Sequence, residues 1–534
     1  MKVQQNLDFM CECSVINNPE LLIVGYGHQY TLLRLLTEHF TCEHRKVASL
    51  KIKTKLTFLL FLTWLVISGC FHAVMPLPEG IDYQSKEYCV CAEDIEFLAD
   101  LTYKNTVGET VHEQEIFDSI FTLIDNAHEY ILIDMFLFNS YTGKGEKAYR
   151  RLCSELMSKL VEKKKLIPSI NIDFITDPVN NVYGGAKSKE IDILRKAGIN
   201  VIYTDLRELR DSNLLYSPIW RLFIQWFGNS DSGGIFRHPF SEKEPGITLR
   251  SYLSLLNYKA NHRKVILADN QEKWTTVITS ANPHDGSSAH SNIALKITGD
   301  FGREIYTAEK SVAEFSHGKL HDVSFEYMDR KNSGQTDCVY LYLITEKKIE
   351  EELIQELESL VPGDRVFMAL FYLSHRNIIK ALLKAVESGA EVKIILDPSK
   401  DAFGREKNGI PNQPVAYELT KKSHGKIKIR WYHTHGEQFH TKLTLIEKHN
   451  GGNVVVLGSA NLTRKNIENF NLELNAKVVG NSSAIMILET KQYFDRLWHN
   501  KKGHYTVDYP FYEDRSIMKT FLYRLYEFFG ISTF

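Results

Sequence analysis

The sequence predicts an α/β protein with two duplicated α-β-α sandwich lobes, each built on a mixed sheet. We expect one transmembrane helix before the lobes and a shared site at the pseudo-two-fold interface between them. Three observations predict this architecture: one series of helices and strands occurs twice, one polar motif occurs in each half, and one long apolar run precedes both. Helices that alternate with apolar strands are typical of sheets covered by helices.

The long apolar run, Leu56–Met75, contains no Asp, Glu, Lys or Arg. At about 1.5 Å per residue, it is long enough to cross a hydrocarbon core of about 30 Å. Three lysines precede it directly: Lys51, Lys53 and Lys55. Because positive residues favour the cytoplasmic side, we expect residues 1–55 in the cytoplasm, a single-pass anchor over 56–75, and the lobes on the extracytoplasmic side of the cell membrane.

A lipoprotein is the alternative interpretation of the same run. Ile67-Ser68-Gly69-Cys70 resembles a bacterial lipobox, in which a signal peptide is cleaved and the cysteine, here Cys70, carries the lipid. The apolar run continues past Cys70, which favours the uncleaved anchor. Both interpretations attach the protein to the outer face of a membrane.

The two lobes begin with the same predicted elements. A helix over Ile116–His128 precedes a buried strand over Tyr130–Phe138, and a helix over Ile349–Leu360 precedes a strand over Val366–Tyr372. Further helices and strands that close on Asp-Pro follow in both halves, at Lys147–Lys165, Asn377–Ser388, Ile170–Asp177 and Val392–Asp397. We therefore place the first lobe at 90–325 and the second at 335–500.

The first lobe is predicted to carry an insertion at 206–259, because its last Asp-Pro strand lies much further from the next motif than in the second lobe. Aromatic residues and arginines alternate in the insertion: Tyr216, Trp220, Phe223, Trp226, Phe227, Arg207, Arg210 and Arg221. Ordinary packing within the lobe explains this pattern. A rim that enters the lipid headgroup layer explains it equally well.

Residues 501–534 are predicted to form a tail with one amphipathic helix over Ile517–Phe529. Its charged residues, Lys519, Arg524 and Glu527, lie away from the apolar face. Such a helix can lie on a membrane surface or pack on the protein. We expect it to dock on the second lobe.

The polar motif reads HxK, then an acid, then Ser-x-Asn. The first copy consists of His262, Lys264, Asp269, Ser280 and Asn282, and the second consists of His440, Lys442, Glu447, Ser459 and Asn461. Thr279 stands where the second copy has Gly458. One copy alone carries little information, whereas two copies with matching spacing predict related halves that share one site.

These residue types suit attack on a phosphodiester. Fixed lysine charges and amide donors neutralise the phosphate oxygens. A neutral imidazole can attack phosphorus and form a phosphohistidine, and a second, protonated imidazole can donate to the leaving oxygen. Histidine suits both tasks because its charge changes near neutral pH. Two half-sites would supply two histidines, two lysines and two asparagines around one phosphate.

At these motifs the chain resembles the phospholipase D superfamily, the HKD phosphodiesterases. It looks most like bacterial membrane-tethered phospholipase D and cardiolipin synthase-like proteins, and the resemblance covers roughly residues 95–500. The resemblance implies a two-lobed fold, no metal or other cofactor, and a phosphohistidine intermediate. It also implies hydrolysis or transfer of a phosphatidyl or nucleotidyl group.

In that family a carboxylate after the motif orients the motif histidine. Glu473, in Asn471-Leu472-Glu473, is therefore the expected partner of His440. The matching stretch Asn292-Ile293-Ala294 has no carboxylate, so Asp285 is the nearest candidate partner of His262. A carboxylate beside His440 favours its imidazolium. We therefore expect His262 to be the nucleophile and His440 the general acid.

The expected function is that of a membrane-tethered phosphodiesterase that hydrolyses or transfers phosphatidyl groups of phospholipids to water or an alcohol acceptor. A nuclease or nucleotide phosphodiesterase of the same superfamily is one alternative. The net charge of −2 differs from the strongly basic character usual in nucleic-acid binders, so we expect no nucleic-acid partner. A non-catalytic anionic-lipid-binding protein is another alternative, which the complete motifs disfavour.

The cysteines form no zinc-binding pattern. We expect them to be unpaired thiols, without a structural metal or a disulfide framework. The chain contains eight: Cys11, Cys13, Cys42, Cys70, Cys89, Cys91, Cys153 and Cys338.

Overall fold

The computed structural model describes residues 53–143, 149–270, 273–325, 338–402 and 405–531. The expected cytoplasmic segment before residue 53, with its three cysteines, and the expected helix start at Lys147 lie outside the described residues. The chain divides into two compact units, Met1–Trp64 and Leu65–Phe534. All strands of both sheets belong to the second unit.

Helix α1, Lys53–Ala73, covers most of the apolar run found in the sequence. The mean hydropathy of its most apolar window is 1.9, and only 11% of that window is buried. Within the described residues, this is the helix that is long and apolar enough to cross a membrane. The finding is compatible with a membrane protein.

Strands β1 to β9 all precede residue 300. All except β1 form an eight-stranded mixed sheet in the order β3-β2-β9-β8-β7-β4-β5-β6. The strands are β1 (Tyr88–Cys91), β2 (Ile95–Lys104), β3 (Thr110–Glu113), β4 (Tyr130–Met135), β5 (Asn171–Thr176), β6 (Asn200–Tyr203), β7 (Lys264–Asn270), β8 (Lys273–Thr279) and β9 (Asn292–Thr298).

The remaining strands are β10 (Cys338–Thr345), β11 (Arg365–Leu370), β12 (Glu391–Leu396), β13 (Asp401–Ala402), β14 (Arg405–Glu406), β15 (Lys428–Tyr432), β16 (Lys442–Glu447), β17 (Asn453–Gly458), β18 (Leu474–Gly480) and β19 (Thr506–Asp508). A nine-stranded sheet runs β1-β10-β18-β17-β16-β11-β12-β15-β19, while β13 and β14 pair separately. The second sheet therefore includes β1, which precedes the strands of the first sheet in sequence, and β19, which lies beyond residue 500.

The two sheets share one topology. The order β2-β9-β8-β7-β4-β5-β6 in the first corresponds to β10-β18-β17-β16-β11-β12-β15 in the second. In both, the last three strands of the series run parallel and all other neighbours run antiparallel. This repetition confirms the predicted fold class of two duplicated lobes with mixed sheets.

Helices cover both sheets, some on the outer faces and some in the core between the sheets. Those of the first lobe are α2 (Ile116–Asn126), α3 (Leu152–Leu166), α4 (Lys189–Lys196), α5 (Ser217–Ile219), α6 (Leu249–Leu255) and α7 (Gly302–Phe315). Those that follow are α8 (Lys347–Glu358), α9 (Arg376–Glu387), α10 (Asn412–Lys422), α11 (Arg464–Ile467), α12 (Ile485–Trp498) and α13 (Ile517–Phe529). Helix α5 continues into a π-helical turn, Trp220–Ile224.

The apolar core has three parts. One lies under α2, α3 and α4, a second lies under α8, α9 and α10, and the third joins the inner faces of the two sheets. Leu267 and Leu295 of the first sheet share this inner part with Leu445 and Val455 of the second. Each such side chain stabilises the fold by about 1.5–3 kcal/mol when fully buried, so the inner core holds the two lobes together.

A disulfide joins Cys89 of β1 to Cys338 of β10. Their Cα atoms lie 5.5 Å apart although 249 residues separate them in sequence. The expectation that these two cysteines are unpaired thiols is therefore wrong. Sequence spacing could not indicate the pair, because the two strands become neighbours only in the folded sheet.

The C-terminal helix α13 packs on the second lobe. Tyr523 is fully buried, and its hydroxyl donates to Glu418 at 2.9 Å. Glu527 is buried and accepts from the Ser374 hydroxyl at 2.7 Å. The opposite face of the helix remains exposed through Ile517, Met518, Phe521 and Phe528.

Candidate active site

The two HxK motifs meet where the lobes face each other. Each histidine lies just before an inner strand, β7 or β16, and its backbone bonds to the other lobe. The backbone amide of His262 donates to the Leu472 carbonyl at 2.9 Å, and that of His440 donates to the Ser291 carbonyl at 2.9 Å. Each half-site is therefore completed by the lobe that does not contain its histidine.

Glu473 pairs with His262, across the lobe interface. The His262 Nδ1 atom lies 2.8 and 3.0 Å from the two Glu473 carboxylate oxygens. Glu473 is fully buried and also accepts from Ser459 Oγ and Asn466 Nδ2. The expectation that Glu473 orients His440, the histidine of its own motif, is therefore wrong.

Asn292 takes the equivalent position beside His440. The His440 Nδ1 atom lies 3.0 Å from Asn292 Oδ1, which also accepts from Ser280 Oγ at 3.0 Å. In each copy the motif serine also accepts the backbone amide of the residue that follows the orienting side chain. Ser280 Oγ accepts from the Ile293 amide at 3.0 Å, and Ser459 Oγ accepts from the Leu474 amide at 3.0 Å. Asn292 thus has the position in the first copy that Glu473 has in the second. The motif alignment matches Glu473 with Ala294, which lies two residues after Asn292.

Asp285 does not orient His262. Its Oδ1 atom accepts the backbone amide of Cys153 at 3.0 Å, at the start of α3. The expected partnership is wrong because the carboxylate that His262 contacts comes from the opposite lobe. The residues near the first motif therefore could not indicate that partner.

The two motif lysines have the same surroundings. Lys264 Nζ donates to the His262 carbonyl at 2.6 Å, and Lys442 Nζ donates to the His440 carbonyl at 2.8 Å. Each ammonium lies over an aromatic ring: Phe136 at 5.2 Å and Phe371 at 5.1 Å from the ring centres. The same rings make edge contacts with His262 at 4.8 Å and with His440 at 4.9 Å.

Burial lowers the pKa of both lysines, that of Lys264 to about 7 and that of Lys442 well below its ordinary value. The charge of Lys264 contributes to the shift at Lys442. A bound anion would oppose these shifts because it favours the charged forms. The paired lysines therefore suit a ligand that carries negative charge.

The surroundings of both motif histidines favour the neutral imidazole. Burial lowers the pKa of His262 to about 4, with Lys264 and Lys442 adding to the shift and Glu473 opposing it. Burial also lowers the pKa of His440 well below its usual value, and both motif lysines add to that shift. Because Glu473 and Asn292 Oδ1 accept, each imidazole carries its proton on Nδ1 and leaves the Nε2 lone pair available.

Asn282 and Asn461 are almost completely buried, at 7% and 5% exposure. Asn282 Oδ1 accepts the backbone amide of Leu137 at 3.3 Å. Asn461 lines a cavity beside His262. Both side chains follow the inner strands β8 and β17, at the same edge as the histidines.

Asp269 and Glu447, the acids of the two motifs, lie outside this group. Each stands about 16 Å along its strand from the motif lysine, at about 3.3 Å per residue. Asp269 accepts the backbone amides of His128, Glu129 and Tyr130 at 2.9, 3.0 and 2.8 Å. Glu447 pairs with Arg365 at 2.8 Å and with Lys491. These contacts hold the ends of strands in place. They do not bring either carboxylate to the motif histidines.

The middle residues of the two HxK motifs differ. Arg263 is fully buried and pairs with Glu346 of the second lobe at 2.7 Å and with Glu309 at 3.2 Å. Glu346 also accepts the backbone amide of Glu473 at 3.0 Å. In the second copy, the Thr441 hydroxyl donates to the Ala369 carbonyl at 3.0 Å. Arg263 thus ties the first motif to the segment that carries the partner of His262.

A cavity of about 210 Å³ adjoins His262. Most of its walls are aromatic or aliphatic, and its polar lining consists of Asn139, Lys259, His262, His284, Asn461, Lys465, Asn466 and Asn471. The apolar walls include Phe136, Leu137, Tyr141, Val179, Tyr183, Phe240, Leu255 and Tyr258. We call this the aromatic cavity.

One group within the described residues has the composition of a metal site: Glu350, His375 and Glu468. His375 Nε2 lies 2.8 Å from Glu468 and 3.6 Å from Glu350. Arg464 also donates to Glu468 at 3.1 Å. The histidine and arginine contacts balance these carboxylates, and the group includes none of the motif residues.

Sequence reasoning missed Asn292 as a partner, and it did not single out Arg263, Phe136, Phe371 or Lys465. A signal existed for the phenylalanines, because each follows the corresponding strand, β4 or β11, in the two halves. Arg263 occupies the variable position of HxK, where no pattern draws attention to it. The register error at Asn292 arose because the connections before β9 and β18 differ in length.

Known proteins resemble parts of this chain. A family model described as "Cardiolipin synthase, PLD-like domain" matches residues 353–498. Phosphatidylserine synthase from Haemophilus influenzae Rd KW20 superposes with a TM-score of 0.52 at 10% identity, covering 82% of this chain and 94% of that one. Residues 353–498 thus match a phospholipase D-like domain, and the superposition shows that the fold is shared over most of the chain.

Weaker likenesses extend to other proteins. Polyphosphate kinase from Porphyromonas gingivalis has a TM-score of 0.41 at 12% identity, covering 81% of this chain and 52% of that one. The phospholipase D family member Nuc from Salmonella typhimurium has a TM-score of 0.23 at 19% identity, covering 31% of this chain and 97% of that one. No curated protein sequence matches. The match of residues 353–498 to a phospholipase D-like domain suggests phosphodiesterase or transferase activity.

Proposed function

We propose that this protein is a membrane-tethered, cardiolipin synthase-like phospholipase D that hydrolyses or transfers phosphatidyl groups of phospholipids. One observation carries the proposal: each motif histidine receives its orienting side chain from the opposite lobe, Glu473 for His262 and Asn292 for His440. Such cross-pairing brings both imidazoles to one interface. A single phosphate between them can then be attacked from one side and protonated on the other.

In the proposed reaction, His262 Nε2 attacks the phosphorus while its Nδ1–H stays bonded to Glu473. A positive charge develops on the imidazole, and the carboxylate stabilises it, as the aspartate does in a serine protease triad. The bond from phosphorus to the leaving oxygen breaks, and His440 donates its Nε2 proton to that oxygen. The products are a phosphatidyl-histidine and a free alcohol.

His440 must be protonated before this step. The negative charge of the phosphodiester raises the pKa of the facing imidazole, which opposes the lowering by burial and by Lys442. Lys264, Lys442 and the amide groups of Asn282 and Asn461 are proposed to bind the non-bridging oxygens, where they stabilise charge in the transition state. In the second step, His440 removes a proton from water or an alcohol, which then displaces His262 from phosphorus.

The aromatic cavity supports a lipid as substrate. Its walls are mainly apolar, although lysine, histidine and asparagine side chains also line it. This lining suits the glycerol and first acyl carbons of a phospholipid, whereas a nucleic-acid strand is usually held in a positively charged groove. The mainly apolar lining of the cavity beside His262 is therefore our reason for proposing a lipid substrate.

Three further features support a membrane location outside the cytoplasm. Helix α1 has the length and hydropathy of a membrane span. The Cys89–Cys338 disulfide is of a kind that persists in oxidising compartments. Large apolar side chains are exposed on the insertion and on α13: Phe223, Trp226, Phe227, Ile517, Met518 and Phe521. We therefore propose that the lobes face the extracytoplasmic side with these side chains at the lipid surface.

The test uses the full-length protein in vesicles of phosphatidylglycerol, with products identified by mass spectrometry. We expect phosphatidic acid plus glycerol if water is the acceptor, or cardiolipin plus glycerol if a second lipid is. His262→Ala should abolish either product, while His128→Ala, at an exposed histidine, should not. Equal product from His262→Ala would reject the proposal. Metal-independent cleavage of DNA without lipid turnover would support the nuclease alternative instead.

A further inference from the structure

A second cavity of about 410 Å³ lies between the insertion and the end of β6. Tyr183 and Lys259 line both this cavity and the aromatic cavity, so the two are neighbours. Three arginines are part of its lining: Arg207, Arg221 and Arg250. We call it the basic cavity.

The basic cavity holds more positive than negative charge. Arg221 and Lys259 share Asp211, at 2.7 and 2.8 Å, and Arg207 pairs with Asp205 at 2.8 Å. No carboxylate contacts Arg250 within the described residues. Four cations against two carboxylates therefore leave an excess of two positive charges. A cavity with this balance favours an anionic ligand.

Arg250 is held in place without being neutralised. Its guanidinium lies 5.1 Å from the centre of the Trp220 ring, and its Nη2 donates to the Gln225 carbonyl at 3.2 Å. The Nε atom is buried and has no hydrogen-bond partner in the part of the chain that the structure describes. A buried donor without an acceptor costs roughly 1–3 kcal/mol, so the neighbours of Arg250 leave part of its hydrogen-bonding capacity unused. The structure thus supplies a fixed, planar donor that faces a basic cavity.

We propose that the basic cavity binds a phosphate group, with Arg250 as the principal contact and Arg207 as a second donor. A guanidinium presents parallel N–H donors that match two phosphate oxygens, which makes arginine well suited to this ligand. The proposed site is separate from the one at His262 and does not depend on catalysis there. The phosphate can belong to an anionic phospholipid or to a soluble phosphate compound.

The position of the cavity favours the lipid. Arg221, in its wall, also donates to the carbonyl and hydroxyl of Ser68 at 3.3 Å, in the last turns of α1. The exposed rings of Phe223 and Trp226 follow directly in sequence. If α1 spans a bilayer, as in the proposed function, Arg221 contacts it about 10 Å before the outer end of the apolar run, at seven residues of about 1.5 Å each, so this wall lies in the outer leaflet, close to the lipid headgroups. A lipid bound there would lie beside the aromatic cavity, next to the substrate at His262.

The experiment counts lipids bound to the detergent-solubilised full-length protein by native mass spectrometry. His262→Ala is the common background, so that phosphatidylglycerol is not consumed. We expect two bound lipids, and we expect Arg250→Gln to weaken the second by roughly tenfold or more, the usual size of a charge-assisted contact. Arg303→Gln is the matched control: Arg303 lies 5.7 Å from the Phe325 ring and donates to its carbonyl, but lines neither cavity.

Inorganic phosphate distinguishes the two sources. Displacement of the second lipid by millimolar phosphate, lost in Arg250→Gln, would assign the site to soluble phosphate compounds, whereas a lipid that resists displacement would assign it to phospholipid. Equal second-lipid binding in Arg250→Gln and Arg303→Gln would overturn the proposal. Arg207→Gln serves if Arg250→Gln does not fold. Failure of the proposed function would appear separately, as lipid turnover by His262→Ala.

Discussion

The two half-sites are built alike and differ in one charge. In both, a lysine bonds the carbonyl of its own histidine, a phenylalanine ring supports the pair, and a serine holds the orienting side chain. The orienting side chain is the carboxylate Glu473 for His262 and the neutral amide Asn292 for His440. The comparison teaches that each histidine takes its chemical character from the opposite lobe.

This difference fits different tasks for the two imidazoles. A carboxylate stabilises the positive charge that His262 would acquire on attacking phosphorus. A neutral partner stabilises an imidazolium less, so His440 would release its proton more readily. The expected roles, nucleophile for His262 and acid for His440, therefore remain our proposal. The reason given from the sequence, a carboxylate beside His440, is wrong.

Removing the charge of Glu473 should have the largest effect on the comparison. We predict that Glu473→Gln lowers kcat by roughly 10²–10⁴-fold, because it makes the His262 partner neutral and permits the wrong tautomer. The measurement is turnover of phosphatidylglycerol, with thermal unfolding as a check on folding. Asn292→Ala should lower kcat much less, since it removes no charge. Equal losses in the two variants would argue against distinct roles.

The middle residues of the motifs give the next contrast. We predict that Arg263→Met lowers the free energy of unfolding by about 3–5 kcal/mol, because it leaves Glu309 and Glu346 buried without their partner. Thr441→Val, which removes one neutral hydrogen bond, should cost about 1 kcal/mol. Denaturant titration of both variants measures the difference. Similar costs would mean that the buried ion pair contributes little to holding the lobes together.

Adding a charge at Asn292 should change kcat least of the three predictions, and it tests whether His440 is the acid. Asn292→Asp places a carboxylate beside His440 and so raises the pKa of its imidazole. Because His440 must be protonated to act as the acid, activity should persist to higher pH. We predict that the alkaline limb of the kcat profile moves up by about one pH unit, with less than about a tenfold change at its plateau. An unchanged or lowered limb would show that His440 is not the acid.

Local patterns predicted the fold class and most of the site. The repeated strand order followed from apolar runs, and the two HxK motifs identified His262, Lys264, His440 and Lys442 before any contact was known. Long-range contacts were beyond such patterns. Nothing near His262 in sequence indicates Glu473, and nothing near Cys89 indicates Cys338. These partners depend on how the lobes pack.

Asp269 shows that a residue of the motif need not belong to the site. It has a fixed place in the pattern, yet its carboxylate bonds the backbone amides before β4. Spacing alone does not separate a residue that serves the strand from one that serves the site. The structure separates them because Asp269 and Lys264 lie at opposite ends of β7.

The most direct test of the account is to trap the covalent intermediate and map it. His440→Ala should react with a phosphodiester whose p-nitrophenolate leaving group needs no protonation, and the adduct should accumulate because no base activates water. Peptide mass spectrometry should locate the added phosphoryl group on His262, and the adduct should disappear when His262→Ala is added. An adduct on any other residue, or one that survives in the double variant, would contradict a shared site with His262 as nucleophile.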